Sequence, residues 1–218
     1  MPAASDVISA VQSASVDQLR ATLAENPALA SARDGNGVSA IMHSVYRHNQ
    51  AVTDILLNSC PALDIFEATS LGNLVRVGEL LAADRSLAKG YSGDGFTALH
   101  FAAFFNQKAA ADLLVKHGAN VAAVANNPMK VMPLHSAAAG RSAGVARVLL
   151  ENGAPPNARQ QLGWTTLHEA AQQGNRAMVE MLLHHGADPS LANDSGVTAI
   201  QLAREKGHGE IASLLTAA

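Results

Sequence analysis

Aromatic residues make up only 4% of this 218-residue chain, and four of its five phenylalanines fall within the stretch Asp94–Phe105, DGFTALHFAAFF. Cysteine is nearly absent. Cys60 alone excludes an internal disulfide and a zinc site built on thiolates, and fits a reducing compartment. Excess positive charge is absent too: 15 Lys and Arg stand against 18 Asp and Glu, a net charge of -3, with no basic run. Binding to nucleic acid or to an anionic membrane therefore has no electrostatic footprint. No segment approaches the roughly 18 consecutive apolar residues of a membrane span. The opening MPAASDVISAVQSASVDQL lacks the basic start and apolar core of a signal peptide, so a cytoplasmic protein is expected. Patterns for hydrolases, phosphate-binding loops and zinc proteases are missing as well.

What the chain does have is repetition. GFTALHFAA from Gly95, VMPLHSAAA from Val131, GWTTLHEAA from Gly163 and GVTAIQLAR from Gly196 are versions of one phrase, and their paired small residues begin at Ala102, Ala137, Ala170 and Ala203. Weaker copies are anchored on Ala10, Ser44 and Ala68, so seven units fill the chain. An aliphatic residue stands three positions before every anchor: Val7, Ile41, Ile65, Leu99, Leu134, Leu167 and Ile200. Twelve positions after it come Thr22, Leu56, Leu80, Leu114, Leu149, Leu182 and Leu215, the outer-helix column. The interval between units two and three is shorter by about the length of a β-turn finger, so LLNSCPALDIF is expected to join two helix pairs directly. LAENPALA from Leu23 and LAADRSLA from Leu81 echo one another, as though a two-unit block had been duplicated.

Within a unit the signals read helix, turn, helix, excursion. In unit six Thr165 is an N-cap, Gly174 punctuates, RAMVEMLLHH carries apolar residues at helical spacing, and Gly186 is a left-handed C-cap. Helices of two turns do not stand alone, so stability must come from stacking each pair on its neighbours. The phrase from Gly163 to Asp188 resembles the ankyrin repeat family almost word for word. The stretches from Asp94 to Asn120 and from Val131 to Asn157 resemble it well, and the chain before Asp94 does so in outline. The resemblance implies an all-α, ankyrin-type solenoid of about seven stacked antiparallel helix pairs with β-turn fingers. It also implies a single domain over 1–218, with units near 5–35, 36–61, 62–93, 94–128, 129–161, 162–194 and 195–218. Several positions depart from the family pattern: Ala98, Thr166 and Ala199 replace Pro, Met132 replaces the capping Thr, and Asn106 and Arg141 replace Gly. Gly140, one place before Arg141, offers that turn a shifted register.

Nine histidines invite a metal or catalytic reading. His100, His135 and His168 share the fourth position of the phrase, where the resemblance implies bonds within the turn and to the adjacent finger. Helix pairs stacked about 8–10 Å apart cannot bring them to one ion, whose ligand nitrogens must lie about 2.0–2.1 Å away. His117, His184 and His185 suit helix C-termini. No catalytic residue, metal or cofactor is assigned.

The columns that the resemblance turns into the concave groove hold Tyr46, Arg47, Phe96, Phe104, Phe105, Trp164, Gln172 and Gln173, and these are the expected partner-binding residues. Phe101 is expected between helices. The function expected is non-catalytic: a monomeric module gripping an unidentified protein partner through fingers and inner helices. A small-molecule or enzymatic pocket in the groove, and a self-associating structural protein, are the alternatives.

Overall fold

The computed structural model describes residues 2–218, and among them the chain is helical, with no strand. Fourteen α-helices follow one another as seven packed pairs. They are α1 Ala4–Gln12 with α2 Val16–Glu25, α3 Ala40–Tyr46 with α4 Gln50–Asn58, and α5 Ile65–Ser70 with α6 Leu74–Ala83. Then come α7 Ala98–Phe104 with α8 Lys108–Lys116, α9 Pro133–Ala139 with α10 Ala143–Glu151, α11 Thr166–Gln172 with α12 Arg176–His184, and α13 Ala199–Glu205 with α14 Gly209–Thr216. First helices pack on first helices along the whole series, and second on second from α2 to α4 and from α6 to α12, the stacking that short amphipathic helices need to bury their apolar faces.

The fingers are turns closed by single antiparallel bridges, Arg33 with Ser39, Tyr91 with Thr97, Arg159 with Thr165 and Ala192 with Thr198. In the first of these Asp34 Oδ1 accepts from the backbone N–H groups of Asn36 and Val38, so Asp34-Gly-Asn-Gly is a finger turn. No bridge precedes α5. Residues 59–64 run directly from α4 to Asp64, which caps α5 by accepting from Phe66 and Glu67 while Glu67 accepts from the Asp64 N–H. The missing finger changes its neighbours: a Cβ on Gly93 would collide with the Asn36 carbonyl, so the fingers of units two and four touch across the gap. Further along, a backbone bond ties each finger to the one before it: Asn126 N–H to Gly95 C=O at 2.8 Å, Gln161 N–H to Met129 C=O at 3.1 Å, and Asp194 N–H to Leu162 C=O at 3.0 Å.

Two sequence expectations are corrected. In unit three Leu80 is only partly buried and Leu81 enters the core, whereas in unit one Thr22 and Leu23 are both buried. The shifted helix, α6, is followed by a 3-10 turn at Arg85–Lys89, as α2 is at Pro27–Ser31, the duplicated segments. The register of the unit-five turn does not shift to Gly140. Gly140 stays right-handed and Arg141 takes φ 54°, because the left-handed residue falls in the same column in every unit: Ala14, His48, Gly72, Asn106, Arg141, Gly174 and Gly207. Gly140 is needed for another reason, since any Cβ there would strike the Phe104 carbonyl.

Candidate functional site

Small residues create the site. Where unit four carries Phe104 and Phe105 and unit six carries Gln172 and Gln173, unit five carries Ala139 and Gly140. Gly140 lets α9 approach the end of α7, and Ala139 leaves the space above it empty. The result is a cavity of about 340 Å³ in the groove. It is lined by Tyr46, Phe96, Phe101 and Phe104, by Met129 and Val131 of the long unit-five finger, by Ser136, Ala139, Gln160 and Glu169, and by the buried His100 and His135. Phe104 is 40% and Met129 50% exposed, although both are large and apolar.

Phe101 is buried at 3% and organises the aromatic cluster, touching Phe66, Phe96 and Tyr46 with ring centroids 5.8–6.3 Å apart. Tyr46 comes from unit two, yet its hydroxyl donates to Asp94 of unit four and its ring stacks on Phe105. Unit three, which lies between them, has no finger. Burial, with the Asp94 carboxylate adding to it, pushes the Tyr46 hydroxyl well above its ordinary value and keeps it protonated.

Of the residues expected to bind a partner, Tyr46, Phe96 and Phe104 line this cavity. Phe105 is half-buried, edge-on to Phe104 and stacked on Tyr46. Trp164 lies against His168, outside the lining. Arg47 is exposed at the end of α3. Gln173 donates to Glu169 Oε1 at 2.6 Å, and the Gln172 carbonyl takes the His208 ring. Sequence reasoning missed Met129, Gln160 and Glu169 as lining residues. The signal that could have found the cavity was the small pair Ala139-Gly140 between two bulky pairs.

The histidines do what the phrase implies. In His100, His135 and His168, Nδ1 accepts from the backbone N–H of Thr97, Met132 and Thr165 at 3.0–3.2 Å. That fixes the proton on Nε2, which donates to the carbonyls of Val131, Ala158 and Val197 in the next finger at 3.0–3.1 Å. Met132 has no hydroxyl to cap its helix, and His135 still supplies its share. Burial drives His100 down to about 4, overcoming its bond to Val131. Burial also lowers His135 and His168. With both ring nitrogens engaged, His135 has no free lone pair with which to activate Ser136 beside it. Among the described residues no three His, Cys, Asp or Glu side chains gather as a metal site, and no helix is long and apolar enough to cross a membrane.

No curated protein matches the chain. The family model described as ankyrin repeats, three copies, matches residues 65–160 and 134–218, and the stacked helix pairs run through the whole of the matched part. The chain belongs to the ankyrin repeat family.

Proposed function

We propose that this protein is a non-catalytic binding module of one domain and seven units, and that the groove around units four and five grips a segment of a protein partner. Ankyrin repeats are in general protein-interaction modules, and the observation that carries the local reading is the cavity itself. Phe104 and Met129 stay exposed in its lining while Phe101, His100 and His135 are buried there, the histidines bonded to the next finger. A preformed apolar hollow flanked by aromatic rings is what an interface anchor needs, because ordering costs little and burial of one side chain contributes a large share of the affinity. Arg47, Phe105, Trp164, Gln172 and Gln173 form the outer contacts of this groove.

Random-peptide display against the full chain, with counter-selection against Ala139→Phe to fill the cavity, tests the assignment. Recovered peptides should lose at least about tenfold in affinity on Phe104→Ala, while the thermal midpoint moves little because the ring is 40% exposed. Peptides that bind the filled variant equally well would remove the cavity from the interface. A cavity of about 340 Å³ also falls in the size range of small-molecule sites, which favours a second reading as a binder of a small apolar ligand. A metabolite screen that protects wild type but not Ala139→Phe against unfolding would support it.

A further inference from the structure

The cavity has four aromatic residues in its lining and one charged side chain, Glu169. Gln173 holds that carboxylate through Oε1, and among the described residues no cation pairs with it. The two histidines in the lining add no positive charge, since each accepts a backbone N–H on Nδ1 and donates from Nε2. Basic residues close to the lining along the chain are Arg47, Lys130, Arg141 and Arg159, and none of them lines the cavity. Arg159 is drawn to the Ala192 carbonyl and to Asp194, and Arg141 donates to the Gln173 carbonyl rather than to Glu169. At the other end Tyr46 donates its hydroxyl to Asp94, which enriches the ring in electron density and sets a second carboxylate behind it.

Aromatic walls in a partly desolvated space attract a cation with an apolar stem. Among protein cations the guanidinium fits best, because it is planar, stacks on rings, pairs with a carboxylate through parallel bonds and sheds water more readily than an ammonium. We propose that the cavity receives an arginine side chain of a protein partner, with its guanidinium among Tyr46, Phe96 and Phe104 and paired to Glu169, and its stem along Val131 and Met129. This rests on reading the groove as protein-binding. A volume of about 340 Å³ exceeds one side chain, so a flanking residue of the same segment enters as well.

Capped pentapeptides Gly-Ser-X-Ser-Gly, with X as arginine, lysine, citrulline or leucine, are titrated into the full chain and followed by NMR at the lining residues. The arginine peptide should bind at least about tenfold more tightly than its neutral isostere citrulline and more tightly than lysine. Glu169→Gln should erase the difference between arginine and citrulline, and Phe104→Ala should weaken arginine. The comparison between peptides on wild type stands even if a variant folds poorly. Leucine binding as well as arginine, with loss on Phe104→Ala, would overturn the arginine assignment and leave the groove reading intact. Free arginine amide binding as tightly as the peptide would overturn the protein source. No shift at the lining residues with any peptide at millimolar concentration would overturn both.

Discussion

At the residue scale, the histidines link burial to acid sensitivity. His100 is lowered to about 4 in the folded chain from an ordinary 6.5, and burial is the main cause. Between those values the unfolded chain takes up a proton that the folded one refuses, so stability is full above pH 6.5 and falls as pH drops toward 4. His135 and His168 shift the same way and steepen the loss. Unit seven shows how to remove the titration without removing the cap, because Gln201 occupies the corresponding place and accepts from the Thr198 N–H at 2.7 Å. His100→Gln should therefore flatten the decline of the unfolding free energy between pH 6.5 and 4. At neutral pH it should cost about 1–3 kcal/mol for the lost bond to the Val131 carbonyl. Denaturant titrations across that range check both, and an unchanged slope would mean that the acid loss lies elsewhere. The buried hydroxyl of Thr166, where the family carries Pro, has no hydrogen-bond partner. Thr166→Val should raise stability by about 1 kcal/mol, read from the same titrations.

At the element scale, turns and fingers set the geometry. The left-handed column is legible in the sequence only where it holds Gly. Arg141 bears φ 54° because the turn repeats in every unit and overrides the preference of one residue. Arg141→Gly should stabilise by about 1 kcal/mol in thermal unfolding, less whatever the bond from Arg141 to the Gln173 carbonyl contributes. The helices, the order of units and the absent finger could be read from apolar columns and intervals, since periodic burial writes itself into periodic sequence. The contact between Gly93 and Asn36 could not, because it depends on what two fingers do once the one between them is gone. The cavity was half legible for the same reason: Phe96, Phe104 and Tyr46 stand in groove columns, but Glu169 and Met129 reach it only through stacking. Gly93→Ala should push the two fingers apart and cost about 1–3 kcal/mol, whereas Gly35→Ala, where a Cβ meets nothing within 4 Å, should cost much less. Equal losses would show that the fingers do not bear on each other.

At the scale of the whole molecule, the missing finger divides the apolar interior. Buried residues from Val7 to Leu56 form one cluster, those from Ile65 to Leu215 another, and Leu63 packs against both. Leu71 of unit three also packs against the first cluster, and polar and aromatic contacts cross the joint beside it. Arg33 pairs with Asp64 at 2.8 Å and approaches Glu67, which burial and the Asp64 charge push upward, and Tyr46 reaches over unit three to Asp94, Phe101 and Phe105. Exposed ion pairs contribute only about 0–1 kcal/mol, so the Tyr46 contacts carry a large share of the coupling. Solenoids open where the interface between neighbours is weakest. Amides of α1 to α4 should therefore exchange through an opening that leaves α7 to α14 protected, and Tyr46→Ala should speed that exchange by about tenfold or more while leaving α11 to α14 unchanged. Because Tyr46 is also a wall of the cavity, a ligand bound there should slow exchange in α1 to α4, far from most of its contacts. Residue-resolved hydrogen exchange decides the matter: one common protection level from α1 to α14, falling uniformly in Tyr46→Ala, would mean that the two clusters unfold as a single core.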